Sequence, residues 1–590
     1  MLVVAALLTA GLGHPIQDDN EGLYARVAAE MLDGGSWIVP HLDGVPYLEK
    51  PPLLYWLTAL AFRVLGHGDA VARLPAVLGA LLVLSAVAVF AYRRREPRAA
   101  LFSLLIVASF PLFLGLTRLL MFDMLLTGFL AWALVALHES IEARGGAAWM
   151  RASYAFLALA VLTKGLLAIV VFGLVALVVV AFAGGERPRV RRALLDPFGL
   201  AIFALVAVPW HLLAWLREPS FGWFYFVNEH VLRFLGLREP KDFYQGPWWY
   251  YLPRIAAASL PWAVLLAVPR ITRRPFDATE RFLWAWVLVP LVFFSTSIAK
   301  ANYYMVIALP ALSLLLGRRL ADLRASRWGA LAPLAWLCLV AAGATLAPRV
   351  HAPYRWPPET IPIVASGLAL AALSAALFLA RRPVGATIAC AAFSVPLALF
   401  FSGALAANED QDSARRIARL IERERFGDVF VYRDFENLSS LAFYLRRPIG
   451  VIDSASNDLR FGIALDPDAR RFPSEAQFLR ADYRGEVAVV VARSRLRELE
   501  GTPLARGLHP LARVGRLELF SWTPPQKLIH LASASPQDAC ASCKPSAGAG
   551  HSLHRSPPVA HGHKKARHRK SAVGPHRGSR PAASGARTPA

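Results

Sequence analysis

Cysteine, lysine and charge are all scarce in this chain, and each shortage excludes something. Four cysteines in 590 residues cannot staple a disulfide scaffold. Cys338 and Cys390 fall inside apolar runs, where a thiol reads as a small hydrophobe. Only Cys540 and Cys543 keep a CxxC spacing, a weak metal or redox signal without a second ligand pair. Charged residues are 18% of the sequence, below the roughly 25% usual in soluble domains, so a purely cytosolic enzyme is excluded. The net charge of +23 does not call for a nucleic-acid partner. Residues 523–590 hold +10 of it, and the other +13 is spread over short loops, as membrane topology requires.

Apolar residues are what the chain has in excess, at 56% of the sequence with a mean hydropathy of +0.42. Windows able to cross a hydrocarbon core of roughly 30 Å lie near 70–92, 99–117, 124–142, 152–163, 166–183, 198–216, 253–269, 281–298, 303–317, 328–347, 361–380 and 385–406. Residues 2–13 are too short to span and read as the truncated remnant of a first helix. The expectation is an all-α polytopic membrane protein of 12 or 13 transmembrane helices over 1–406. Arginines crowd every second loop (Arg93 to Arg98, Arg144 with Arg151, Arg187 to Arg192, Arg270 to Arg274, Arg318 to Arg327, Arg381 with Arg382), which makes those loops cytoplasmic. The alternate loops, 14–69, the turns at Asp123, Lys164 and Lys300, 217–252 and 348–360, then face outward. With thirteen spans, everything after residue 406 does too.

Beyond 406 the pattern changes. Amphipathic helix patterns (413–424, 436–445, 474–483) alternate with β-rich runs (428–432, 449–452, 486–491, 517–522), predicting a small α/β domain over 407–522. Residues 523–590, rich in Ala, Ser, Pro, Gly, His and basic residues, cannot bury a core and are expected to be a disordered basic tail drawn to acidic lipid or lipopolysaccharide.

Before residue 523 there are 49 arginines and four lysines, Lys50, Lys164, Lys241 and Lys300, all in or beside predicted outward loops. Arginine does the topological work, so these lysines are candidates to meet a phosphate as compact point charges. The 14–69 loop opens with Gln17-Asp18-Asp19-Asn20-Glu21. Tyr24, Val27, Ala28, Met31 and Leu32 then follow at helical spacing, predicting an amphipathic helix near 21–33 capped by Asp19 or Asn20.

These residues carry a resemblance. Asn20-Glu21-Gly22-Leu23-Tyr24-Ala25, Gly35-Ser36-Trp37 and Pro46-Tyr47-Leu48-Glu49-Lys50-Pro51-Pro52, followed by Asp123, Thr163-Lys164-Gly165, Glu229-His230-Val231-Leu232-Arg233-Phe234, Pro247-Trp248-Trp249 and Lys300-Ala301-Asn302-Tyr303-Tyr304, resemble the bacterial aminoarabinose (lipid A) transferase and protein mannosyltransferase-like family. These are GT-C glycosyltransferases, and the resemblance covers roughly residues 1–410. The family's usual Asp-Glu-x-x-Tyr-Ala has Asn20 at the Asp position and Leu23 where an Arg is common.

The resemblance implies transfer, with inversion, of an aminoarabinose- or mannose-like sugar from a polyprenyl phosphate to lipid A, a glycan or a protein at the periplasmic face of the inner membrane. It gives catalytic candidates in Asp19, Asn20, Glu21 and Asp123, with Asp19 or Asn20 in the first position. Lys50, Lys164, Lys300, Tyr24, Tyr47 and Tyr303 would bind the donor phosphate. Glu49 and His230 would share a divalent cation, zinc, magnesium or manganese. The competing classes are a lipid-linked-sugar flippase or transporter, which would place ionisable groups at mid-membrane, and a non-catalytic lipid-binding membrane protein.

Overall fold

A computed structural model describes residues 8–142, 146–241, 244–268, 276–323, 327–346, 355–466, 470–483 and 485–523, all within one compact unit. About half of the 2–13 apolar segment and the whole 524–590 stretch, with its CxxC, lie outside the described residues.

Among the described residues eight helices are long and apolar enough to cross a membrane: Leu74–Arg93, Phe122–Ile141, Gly146–Lys164, Pro197–Arg217, Ala278–Thr296, Tyr304–Leu323, Thr360–Leu379 and Pro383–Ala407. Two bent pairs raise the number to ten. The expected twelve windows exceed this by two, 253–269 and 328–347, and breaks that composition does not register account for the bent pairs and for the first of these. Pro111, with no N–H to donate, divides the 99–117 window into Pro97–Ser109 and Pro111–Thr117, bent by 61°. Pro261 likewise ends the Tyr251–Ala258 helix, and a 3-10 segment, Trp262–Ala267, completes that window. Prolines at the first turn of other helices, Pro75, Pro97, Pro197 and Pro383, fall where the missing donor costs nothing.

Phe122–Ile141 is the bundle's centre, with 89% of its window buried against 28% for Pro197–Arg217. It crosses Leu74–Arg93 at Gly128 and Gly79. A Cβ on Gly79 would stand 2.5 Å from the Met124 carbonyl oxygen, so only hydrogen permits this approach. The crossing seats Asp123 in the first turn of the central helix.

Ion pairs and hydrogen bonds sort the loops into two ends. At one end Arg93 and Arg94 hold Glu139, Arg151 holds Asp196, and Arg318 holds Glu96 and Asp277. At the other, Arg73 holds Glu21, Lys164 holds Asp123, Lys50 reaches Glu229, and Arg415 holds Asp69. This is the division that the arginine alternation predicts.

The C-terminal region carries a five-stranded sheet ordered β4-β3-β5-β7-β6, built from β3 (Asp428–Tyr432), β4 (Gly450–Ile452), β5 (Val487–Ala492), β6 (Leu508–Val514) and β7 (Leu517–Trp522). A two-residue pair, β1 (His41–Leu42) with β2 (Val45–Pro46), forms a hairpin in the first loop. β3 pairs in parallel with β4 and β5, while β7 runs antiparallel to β5 and β6. All six residues of β5 are buried, as a central strand covered on both faces requires. Strand β6 and the Asn457–Leu465 helix were not expected from the sequence pattern.

This region is fastened to the first loop. Asp18 accepts from Ser440 N at 2.9 Å and pairs with Arg516 Nη2 at 2.6 Å, while the Ser439 hydroxyl donates to the Asp19 carbonyl at 2.8 Å. Tyr444 adds a bond to Asp69 at 2.8 Å.

Candidate active site

A cavity of ≈ 370 Å³ opens at the end where the first loop and the C-terminal region meet, and its lining is divided by chemistry. Leu166, Leu167, Val170, Phe234, Phe293 and Phe294 form an apolar channel, and Glu49, Lys50, Lys164, Glu229, His230 and Arg233 form its head. Such a division suits an amphiphile with an anionic head.

Local backbone explains how the head groups converge. Pro51 and Pro52 start the Leu53–Leu65 helix, which leaves Glu49 and Lys50 in a bend just after the hairpin. Glu229 and His230 come from a π-helix, Gly222–Leu232, a geometry that recurs at functional sites. Between Gly146–Lys164 and Leu166–Ala181 the chain turns at Gly165, whose φ is +80°. A Cβ there would lie 2.5 Å from both His230 Nε2 and the Tyr225 hydroxyl.

The buried acids are matched by cations. Glu49 Oε1 accepts from Arg238 Nη2 at 2.6 Å, and its Oε2 faces Lys50 Nζ and the Tyr47 hydroxyl, each at 3.3 Å. Glu229 is held by Arg238 Nε, by Arg233 Nη1 at 3.0 Å and by Lys50 Nζ at 3.5 Å. Burial alone pushes the Glu229 carboxyl pKa up, but Lys50, Arg238 and Arg233 together hold it below the usual carboxylate range. Asp123 accepts from Lys164 Nζ at 2.6 and 2.7 Å, and that ammonium also lies 4.9 Å from the Tyr304 ring centroid and 5.5 Å from that of Tyr303.

At the start of the Asn20–Leu32 helix the three candidates part company. Glu21 is buried and fully engaged, by Arg73 at 2.6 and 2.7 Å, by Leu120 N at 2.7 Å and by Gln17 N at 2.9 Å; it ties the loop to the bundle. Asp19 stands at φ +67° with its side chain reached by solvent. Asn20 Nδ2 donates to Asp19 Oδ2 at 3.0 Å, and the Tyr24 hydroxyl fixes Asn20 by donating to its Oδ1 at 2.7 Å. Partial desolvation of the Asp19 carboxylate, and then Glu436 beside it, raise its pKa. Tyr303 is within electrostatic reach of Asp123 and Asp19 alike, and burial keeps its phenol protonated.

Lys300 does not join the head. Its Nζ donates to the carbonyls of Phe294, Ser295 and Ser297 at 2.8, 3.0 and 2.5 Å, capping the end of Ala278–Thr296, where a cation complements the helix dipole. Lys241 is exposed.

Glu49 and His230, the two residues expected to share a divalent cation, both line the cavity, and each is already engaged by protein partners. His230 donates from Nδ1 to the Tyr225 carbonyl at 2.6 Å and accepts at Nε2 from Leu166 N at 3.2 Å, while Glu49 already faces Arg238 and Lys50. Among the described residues no three His, Cys, Asp or Glu side chains are grouped to hold a metal. Burial, together with Lys50 and Arg233 nearby, brings the His230 pKa down to about 4, leaving it a neutral brace between two segments.

Sequence reasoning missed Glu229, Arg233 and Arg238 as parts of the head. Arginine was read as the topological cation, and nothing in its spacing marked these two as different.

The chain's relatives agree with this geometry. Residues 49–215 match the model of the dolichyl-phosphate-mannose-protein mannosyltransferase family. The chain is 31% identical over 533 residues to undecaprenyl phosphate-α-4-amino-4-deoxy-L-arabinose arabinosyl transferase 2 of Pseudomonas fluorescens, covering 85% of this chain and 94% of that one. With the Pseudomonas aeruginosa LESB58 transferase it shares 36% identity over 330 residues, spanning 58% of that relative's length. The crystal structure of ArnT from Cupriavidus metallidurans bound to undecaprenyl phosphate superposes with a TM-score of 0.75 at 25% identity, covering 88% of this chain and 96% of that one. A membrane bundle with a cation-headed apolar cavity, and a relative matched along nearly its whole length, show that the chain belongs to the undecaprenyl phosphate-aminoarabinose arabinosyl transferase family of membrane glycosyltransferases.

Proposed function

We propose that this protein moves 4-amino-4-deoxy-L-arabinose from undecaprenyl phosphate to an envelope acceptor, lipid A foremost, at the periplasmic face of the inner membrane. One observation carries the reading: a single space joins an apolar channel to a head lined by Lys50, Lys164 and Arg233. The isoprenoid lies along Leu166, Val170 and Phe293, and the phosphodiester meets the cations. An acceptor oxygen forms the new bond to the anomeric carbon from the opposite side. The bond from that carbon to the phosphate oxygen breaks, and its electron pair stays on the phosphate. Charge therefore grows where Lys50 and Lys164 stand, the arrangement that lowers such a barrier. When the acceptor is a hydroxyl, Asp19, steadied by Asn20, takes the proton.

Purified protein in nanodiscs, given undecaprenyl phosphate-linked aminoarabinose and lipid A, is expected to yield lipid A heavier by one aminopentose by mass spectrometry. Consumption of neither substrate would overturn the reading. Unchanged lipid A from a deletion strain would move the search to glycan or protein acceptors. Reporter fusions after Arg192 and Asn408 are expected on the cytoplasmic and periplasmic sides respectively, and the reverse pattern would invert the site's address.

A further inference from the structure

One helix of the C-terminal region turns a whole face toward the reaction end. In Asn457–Leu465, residues Asp458, Phe461, Gly462 and Leu465 follow at i, i+3, i+4 and i+7 and so share a stripe. Phe461 stacks on Phe224 with ring centroids 3.8 Å apart, and Phe224 belongs to the π-helix that carries Glu229 and His230. Gly462 lies against hairpin strand β2 so closely that a Cβ would stand 2.4 Å from the Pro46 carbonyl oxygen. Leu465 packs with Phe461 on the cluster containing Leu48, Trp210 and Tyr225. Asp458, first on this stripe, is thereby brought to the Tyr47-to-Glu49 segment.

Its carboxylate is under-compensated. The neighbouring Glu436 spends Oε1 on the Ser456 hydroxyl and on the N–H groups of Asn457 and Asp458. Asp458, by contrast, accepts no side-chain hydrogen bond among the described residues. Burial first, and then Glu49 and Glu436, raise its pKa well above the carboxylate range, against an opposing pull from Arg238. Tyr24, Tyr47 and Tyr55 all feel its charge. A half-buried carboxyl with acids and phenols for neighbours and no hydrogen bond of its own among the described residues has a use for a cation that its surroundings supply only in part.

We propose that Asp458 is a specificity-determining residue that binds the ammonium group of the donor's amino sugar. This rests on the transfer reading above. The donor is then a zwitterion matched to a polarised site: its phosphate meets Lys50 and Lys164 at the lipid head, and its ammonium meets the carboxylate that the C-terminal region lowers onto the hairpin. The C-terminal region is thus part of the substrate pocket.

The test compares undecaprenyl phosphate-aminoarabinose with its N-acetyl derivative, which has no positive charge, using full-length protein in nanodiscs. Wild type is expected to favour the free amine in kcat/KM. In Asp458→Asn the KM for the free amine should rise at least about tenfold, the scale of a lost charged hydrogen bond, with KM for the N-acetyl donor unchanged. Asp458→Glu should restore the preference, and inhibition by plain undecaprenyl phosphate should be the same in all three proteins, which a merely misfolded variant would not give. A preference that persists in Asp458→Asn overturns this proposal alone. Wild-type protein that transfers from neither donor overturns it together with the transfer reading.

Discussion

Two cavities of similar size, ≈ 370 and ≈ 400 Å³, sit at opposite ends of the bundle, and both mix apolar walls with ionisable groups. At the arginine-rich end the Glu186–Arg189 pair on the lining is 69% and 51% exposed. At the other end Glu229, Glu49 and Lys50 are 2%, 8% and 13% exposed. An exposed pair forms or breaks at little cost, near 0–1 kcal/mol, whereas a buried charge network persists only when every member is matched, because losing one partner costs about 3–5 kcal/mol. Size therefore does not distinguish the two spaces. Charge held out of water on the lining does, and at the Glu49 end that charge is positioned where a substrate can meet it.

Breaking the contrast should be easiest at its lysine. Lys50→Ala is expected to cut turnover by roughly 10²–10³-fold, the usual loss when a group stabilising developing anionic charge is removed. Arg189→Ala should leave turnover within about twofold, since exposed pairs contribute so little. Steady-state kinetics on both variants checks this, and equal effects would erase the distinction between the cavities. Next comes Asp19→Asn, expected to lower turnover on a hydroxyl acceptor by about 100-fold. The raised pKa of Asp19 means that its carboxyl stays protonated, and useless as a base, to a higher pH than an ordinary aspartate. The acid limb of the pH–rate profile should accordingly lie above the usual carboxylate range of about 4 and vanish in the variant. A phosphate acceptor, which already carries its oxyanion, should show neither effect.

Much of this was legible in the sequence, for identifiable reasons. Arginine alternation marks the loops that meet at each end because positive charge resists export, and the pairs Arg318–Asp277 and Lys164–Asp123 fall on the two sides so sorted. Lysine scarcity pointed to Lys50 and Lys164, both in the cavity head, yet the same signal gave Lys300, whose partners are three backbone carbonyls. Residue type reports what a group can do, and only local backbone decides what it meets. Asp458 was invisible for a related reason. Its helix begins at an ordinary Ser456 cap, and nothing in that stretch reveals that Phe461 will find Phe224 more than two hundred residues earlier in the chain.

A smaller effect than the loss of a charge is expected from the turn that aligns the head. Gly165→Ala places a methyl 2.5 Å from His230 Nε2 and the Tyr225 hydroxyl, at a φ that L-residues avoid. The expected cost is about 1–3 kcal/mol, as for other strained backbone positions. It should be visible as a lower thermal midpoint and a weaker affinity for undecaprenyl phosphate. Arg189→Ala, at the other cavity, should change neither.

The smallest effect sharpens the comparison most. Lys300 lies at the chemistry end and, like Lys50, falls in a predicted outward loop, but its three donors are all spent on the carbonyls that close Ala278–Thr296. Lys300→Met keeps the stem and removes the charge, leaving three carbonyls short of a donor and the helix end without its cation. Stability should fall by about 1 kcal/mol, the scale of a terminal cap or one hydrogen bond. The dissociation constant for undecaprenyl phosphate should stay within about twofold, because the ammonium does not line the head and two neutralising lysines remain there. Isothermal titration of the lipid, alongside thermal melting, separates the two readouts. A dissociation constant weakened as much as in Lys50→Ala, with melting unchanged, would return Lys300 to the phosphate and remove the distinction between a cation that holds the fold and one that holds the substrate.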